Sequence, residues 1–279
     1  MTRLLVIDAY TDAGRESLSR GQCNHAGLLY RRMLHRLDPT LQLDVITASA
    51  PRPELPAGAT LTDYDGVIWT GSNLTAHKAT PEVLGQTALL RDHMAAGVPG
   101  FGSCWAVQLA VVAAGGTVAA NPKGREFGVS RKITLTEAGR THPLFAGKPQ
   151  VFDGYTSHED EVTELPAGAT LLAGNAFSRV QALALELGGT QFWSVQYHPE
   201  YELEDVARLS VVRRNQLIQQ GFFADEADGV AYVETLEALH TDPTLTHLAF
   251  RMGLDSDVLD PAVRTAEVAA WLKALHDGL

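Results

Sequence analysis

The sequence predicts an α/β protein, a mostly parallel sheet flanked by helices, and three observations predict it. Apolar runs of strand length alternate with helical patterns over roughly the first 115 residues, the signature of βαβ units. Two of those runs end in loops of small residues, "WTGSN" (69–73) and "GFGSCWA" (100–106). Hydrophobic residues make up 45% of the 279 and charged residues 20%, enough apolar side chain for a sizeable core.

Taken in order, "RLLVIDAY" reads as a buried strand with a polar tip. "AGLLYRRMLHRL" repeats apolar residues at helical spacing, from Leu28 and Leu29 to Met33, Leu34 and Leu37. "LQLDVITA" is a strand, "ELPAGATLTDYDG" a loop punctuated by Pro and Gly, and "GVIWTGS" a third strand. In "TPEVLGQTALLRDHMAAG", Thr80 caps a helix, Pro81 takes its first position and Gly97 ends it. The strand "VPGFG", Cys104 and a helix from about Trp105 to Ala114 follow. From Phe127 to Val195 the pattern is rich in strands, and residues 203–223 return to helix. Residues 225–279 read as a helical extension. "DPAVRTAEVAAWLKAL" carries a cap at Asp260, then Pro261, with Val268, Leu272 and Leu275 on one face.

The net charge of −11 repels phosphate backbones and anionic lipid, so binding to nucleic acid or a membrane surface is not expected. Most of that charge lies in residues 225–279, which hold 11 Asp and Glu against 3 Lys and Arg. Two cysteines, Cys23 and Cys104, make no disulfide framework and suggest a reducing cytoplasm. The apolar stretch at the N-terminus is too short for a signal-peptide core or a membrane span. The ten histidines show no metal-ligand spacing, so no metal site is expected.

Cys104 is the residue that asks for a function. A nucleophile must be rigid and reachable, and a tight strand-to-helix turn supplies both. The residues two before and two after it must be small; here they are Gly102 and Ala106. Amides at the start of the following helix favour a thiolate. A cysteine nucleophile also needs a base, and the base a group to orient it. "SVQYHPEY" delivers His198 at a strand end with Glu200 one residue further on, and Pro199 ends the ladder. A small buried cysteine is the plain alternative for Cys104, and a surface turn for His198 to Glu200. Cys23, in "SRGQCNHAG", reads as an unpaired thiol in a loop edging the site.

Gly102 to Gln108, "GSCWAVQ", resembles the Gly-x-Cys-x-Gly-x-Gln motif of class I glutamine amidotransferases, and His198-Pro199-Glu200 resembles their His-x-Glu. "REFG" (125–128) and "SHEDEVTELP" (157–166) are similar to segments of the glutaminase domain of GMP synthase. The resemblance covers roughly residues 4 to 222, in the family's motif order. It implies a flavodoxin-like sheet with a nucleophile elbow in residues 1–224, followed by the acidic helical extension 225–279. It implies that Cys104 attacks a glutamine side-chain amide, that His198 protonates the leaving ammonia and then activates water, and that Glu200 orients His198. The oxyanion would be held by the backbone N–H of Trp105 and that of Gly71 or Ser72. Gln108 matches the family's substrate-contacting glutamine, and Ser157, His158, Glu159 and Asp160 match the segment binding the amino-acid end, largely through main chain.

Three positions depart from the pattern. Ala106 replaces the glycine two after the cysteine, Ser72 and Asn73 replace part of GMP synthase's glycine-rich oxyanion loop, and Glu159 replaces a glycine. The last two agree with a free-standing branch that includes plant gamma-glutamyl peptidases. No ATP pyrophosphatase loop or phosphate-binding GxxxxGK[ST] motif is present, so no cofactor is expected. The leading expectation is a glutaminase that passes ammonia to a separate synthase. The alternatives are a free-standing γ-glutamyl peptidase or hydrolase, and an inactive binding subunit. For residues 225–279, covering an edge of the sheet is preferred to a dock for the synthase.

Overall fold

The computed structural model describes residues 1–51 and 53–279. Its strands are β1 (Arg3–Asp8), β2 (Gln42–Thr47), β3 (Gly66–Trp69), β4 (Gly100–Ser103), β5 (Thr117–Ala120), β6 (Glu126–Leu135), β7 (Val151–His158), β8 (Asp160–Glu164), β9 (Ala169–Gly174), β10 (Ala182–Leu187) and β11 (Thr190–Val195). Its helices are α1 (Asp12–Arg20), α2 (Ala26–Leu37), α3 (Pro81–Ala95), α4 (Trp105–Ala113), α5 (Glu137–Thr141), α6 (Leu203–Gln219), α7 (Glu226–Thr241), α8 (Thr246–Met252), α9 (Ser256–Leu259), α10 (Pro261–Arg264) and α11 (Ala266–His276).

Nine strands form one sheet in the order β2-β1-β3-β4-β11-β10-β9-β6-β7, while β5 and β8 pair apart. From β2 to β11 every pairing is parallel. With β11 in fifth place, this half has the 2-1-3-4-5 order of flavodoxin-like folds. Beyond β11 the strands run antiparallel. The parallel half is covered on both faces, which is why β3 and β4 are buried throughout and read as unbroken apolar or small-residue runs.

Alternation along β1 and β3 divides the core. Leu5, Ile7, Val67 and Trp69 face α3 and α4. Leu4, Val6 and Ile68 face α2 together with Val268, Trp271 and Leu272 of α11. The C-terminal helix therefore covers a face of the main sheet. Gly66 makes room for it: a Cβ there would lie 2.9 Å from the Trp271 ring. Lys148 Nζ sits 2.9 Å from Glu267 Oε1 with both side chains buried, and Tyr197, next to His198, also donates to Glu267. Removing one partner of such a buried pair typically costs about 3–5 kcal/mol.

α1 has no counterpart in the sequence reading. Leu18 is its one buried residue, so no apolar stripe marks it, although Thr11 caps it by accepting from the Gly14 amide. No helix among the described residues is long and apolar enough to cross a membrane.

Candidate active site

Cys104 stands between β4 and α4 with φ 54° and ψ −99°, a backbone conformation that non-glycine residues rarely adopt. Its neighbours hold it there. The Cys104 amide donates to Val195 O at 2.8 Å, tying the turn to the end of β11. A Cβ at Gly102 would come 2.3 Å from the Ala106 methyl and 2.9 Å from Trp69 O. The Ala106 methyl thus fills space that Gly102 leaves open.

β11 ends beside this turn and delivers His198. The His198 amide donates to Tyr155 O at 2.7 Å, and its ring stacks on Tyr201 with centroids 4.0 Å apart and planes 3° from parallel. Nδ1 lies 2.7 Å from Glu200 Oε1, which also accepts from Ser103 Oγ at 3.2 Å. Cys104, His198 and Glu200 are all buried. Burial alone would lower the pKa of His198. The Glu200 carboxylate, and after it Cys104, outweigh burial and raise it to about 10, so the ring is an imidazolium at neutral pH.

The loop after β3 crosses directly over this group. A Cβ at Gly71 would fall 2.9 Å from His198 Cε1 and 3.8 Å from Cys104 Cβ, so the backbone passes at closest approach where glycine permits it. Ser72 Oγ fixes the loop, donating to Ala9 O at 2.7 Å and accepting from the Leu74 amide at 3.1 Å. Among the described residues the amides of Gly71, Ser72 and Trp105 reach no backbone acceptor outside the regular elements. The Trp105 indole is occupied elsewhere, donating to Gln86 Oε1 at 2.7 Å.

A cavity of about 100 Å³ includes Ser72, Cys104, Trp105, Gln108 and Ser157 to Asp160 in its wall. Ten of the eleven sequence-predicted site residues other than Gly71 thus meet here or in the His198–Glu200 pair against it. Gln108 Nε2 donates to Asp160 O at 3.1 Å and lies 3.3 Å from Gln196 Oε1. The His158 side chain does not face a ligand: Nδ1 is 2.8 Å from Asp160 O and Nε2 is 2.8 Å from Glu126 Oε2. Glu159 is held by Arg125 at 2.8 Å and by Gln216 and Gln220.

Two arginines complete the wall, and neither carries a role in the sequence reading. Arg125 and Arg213 both donate to Ser157 Oγ. Burial, and then the neighbouring Arg213 cation, lower the pKa of Arg125. Arg125 pairs with Glu159, whereas Arg213 forms no ion pair among the described residues. "REFG" contains Arg125, but nothing local marks Arg213, which reaches the site from α6, far along the chain. Cys23 lies in a different, smaller cavity beside Tyr10 and Tyr201, and burial pushes its thiol up to about 11.

A strand-to-helix cysteine beside a strand-end His–Glu pair, on a 2-1-3-4-5 sheet, defines a class of protein. The chain belongs to the class-I glutamine amidotransferase family, whose model matches residues 28–210. A gamma-glutamyl-L-1-hydroxyisopropylamide hydrolase from a Pseudomonas species is 30% identical over 98% of this chain and 92% of its own. Gamma-glutamyl peptidase 3 of Arabidopsis thaliana is 29% identical over 62% of this chain and 70% of its own. Among solved structures, a glutamine amidotransferase from Thermotoga maritima shares the fold with a TM-score of 0.68 at 16% identity, covering 98% of this chain and 97% of that one.

Proposed function

We propose that this chain is a free-standing hydrolase of γ-glutamyl amides, working through a thioester on Cys104. The observation that carries the choice is coverage: the similarity to a γ-glutamyl amide hydrolase runs through 98% of the chain. That span takes in α11, which packs into the main core. Both observations support free-standing hydrolysis over ammonia supply to a separate synthase.

In the proposed reaction Cys104 Sγ attacks the γ-carbonyl carbon. The developing oxyanion accepts from the Trp105 amide and from that of Gly71 or Ser72, donors that no backbone carbonyl competes for. The carbon–nitrogen bond breaks as imidazolium His198 gives its proton to the departing amine. Neutral His198 then takes a proton from water, which attacks the thioester and releases glutamate and the thiolate. Glu200 accepts from Nδ1 throughout and keeps the other ring nitrogen on the reacting side. Arg213, with no carboxylate partner of its own, receives the α-carboxylate of the glutamyl group, and Arg125 keeps Glu159 in place.

The test compares the purified chain on a γ-glutamyl alkylamide, a γ-glutamyl peptide and glutamine. The expected result is turnover of the alkylamide with no added protein. Activity confined to glutamine, and raised by a cellular fraction, would instead support the ammonia-supplying reading. Arg213→Met should raise KM for the alkylamide far more than it lowers kcat.

A further inference from the structure

A second cavity, of about 250 Å³, has Pro199 and Glu200 in its wall but neither Cys104 nor His198. It lies between α2, the segment after β11 and the turn into α10. Leu29, Met33 and Leu37 of α2 give it an apolar side. Arg32, Arg36 and Arg264 give it three cations.

Those cations share one carboxylate. Arg36 Nη1 bonds Glu202 Oε1, while Arg32 Nη2 is 3.5 Å from Oε2 and Arg264 Nη2 is 3.6 Å from Oε1. Each guanidinium offers five N–H donors, so Glu202 leaves most of them without a charged acceptor. Arg264 Nη1 reaches Val258 O at 2.8 Å, and its Nε has no partner although the side chain is only 7% exposed. Asp205, one of two further acids in the wall, accepts from the Glu202 amide at 2.9 Å and from Asn24 at 3.2 Å. Glu200 is already paired with His198. Three guanidinium groups thus stand together against an apolar wall, matched in number by three carboxylates of which, among the described residues, only Glu202 pairs with them.

We infer that this cavity is a binding site for a small organic anion, a carboxylate with a short hydrocarbon tail. The head accepts from Arg32, Arg36 and Arg264, and the tail lies on Leu29, Met33 and Leu37. A planar carboxylate matches the guanidinium fork, and the apolar side excludes the water that would compete for it. Glu202 sits two residues beyond Glu200, so the occupant contacts the same short segment that carries the partner of His198. The inference is independent of which γ-glutamyl compound Cys104 accepts.

Calorimetric titration of the full chain with hexanoate tests it, alongside hexylammonium and inorganic phosphate, and again after alkylation of Cys104. The expected result is one saturable hexanoate site per chain, unaffected by alkylation, with phosphate weaker and hexylammonium silent. Arg36→Gln, at an exposed side chain, should weaken hexanoate by about tenfold or more. Arg264→Gln should do the same, with a thermal melt to establish that this buried substitution folds. No saturable heat with hexanoate overturns the inference. So does equal binding of hexylammonium, loss of binding on alkylation, or unchanged affinity in Arg36→Gln.

Discussion

Two buried histidine–glutamate pairs stand within this molecule, and their contrast shows how the surroundings of the histidine proposed to react differ from those of one held at both ring nitrogens. His198 Nδ1 lies 2.7 Å from Glu200, and His158 Nε2 lies 2.8 Å from Glu126. Distance and burial barely distinguish them. The second ring nitrogen does. In His158 it is occupied by Asp160 O at 2.8 Å, so both nitrogens have fixed partners. In His198 it is left to the side where Cys104 sits. The carboxylates differ as well. Glu126 accepts from Ser130, Asn175 and Gln181 besides His158, which with His158 overcome its burial and hold its carboxyl below the usual range. Among the described residues Glu200 has only His198 and Ser103, and its Oε2 has no partner. One pair joins β6 to the end of β7; the other lies beside Cys104.

The contrast breaks most sharply through the reacting residues. Cys104→Ala and His198→Ala should each lower turnover by about ten-thousandfold or more in a chain that still folds, Cys104→Ala with a thermal melt close to that of the parent and His198→Ala with a lower one because it leaves Glu200 buried without its partner, as steady-state assay and circular dichroism would register. Loss of folding in His198→Ala would place this pair with the structural one.

Glu200→Gln should be milder than His198→Ala, because it keeps the ring in place and loses only the charge behind it. It also carries a pH signature. With the folded pKa of His198 raised to about 10, the stability gained from its protonation is fully present below the ordinary histidine value near 6.5 and is lost as pH rises toward 10. Denaturant midpoints across that window should fall more steeply for the parent chain than for Glu200→Gln. Parallel curves would mean that Glu200 does not set the charge of His198.

His158→Ala reverses the pattern. It should destabilise the chain by about 3 kcal/mol, the low end for breaking a buried pair, since Ser130, Asn175 and Gln181 still donate to Glu126. Turnover per folded molecule should fall far less than in His198→Ala. A folded His158→Ala chain as inactive as His198→Ala would erase the distinction.

Ala106→Gly has the smallest expected effect. It removes a methyl packed against Gly102 and costs up to about 1 kcal/mol of helix propensity, with turnover unchanged or higher. A folded but inactive glycine variant would show that the methyl itself supports the turn.

Much of this was legible before the structure because the relevant signals are local. Alternating apolar runs marked the parallel half, small residues around Cys104 marked the turn, and His198 and Glu200 stand one residue apart. What depends on long-range packing was not legible. Arg213 meets Ser157 across 56 residues of chain, and Glu126 meets His158 across 32. That the His158 ring is tied to Glu126 fits a segment read as binding through its main chain, but the partner itself could not be named from the motif. Residues 225–279 read as an acidic extension because of their net charge. Val268 and Leu272 stood out on one helix face, but that this face meets Leu4, Val6 and Ile68 of the main sheet depends on packing between distant parts of the chain.

The central claim is that Cys104 carries the glutamyl group. Rapid acid quenching of the chain during turnover of a γ-glutamyl alkylamide, followed by peptide mass spectrometry, addresses it directly. The account expects one glutamyl group on Cys104, none on Cys23, and no adduct in Cys104→Ala. A glutamyl group on Cys23, or full turnover in Cys104→Ala, would contradict it.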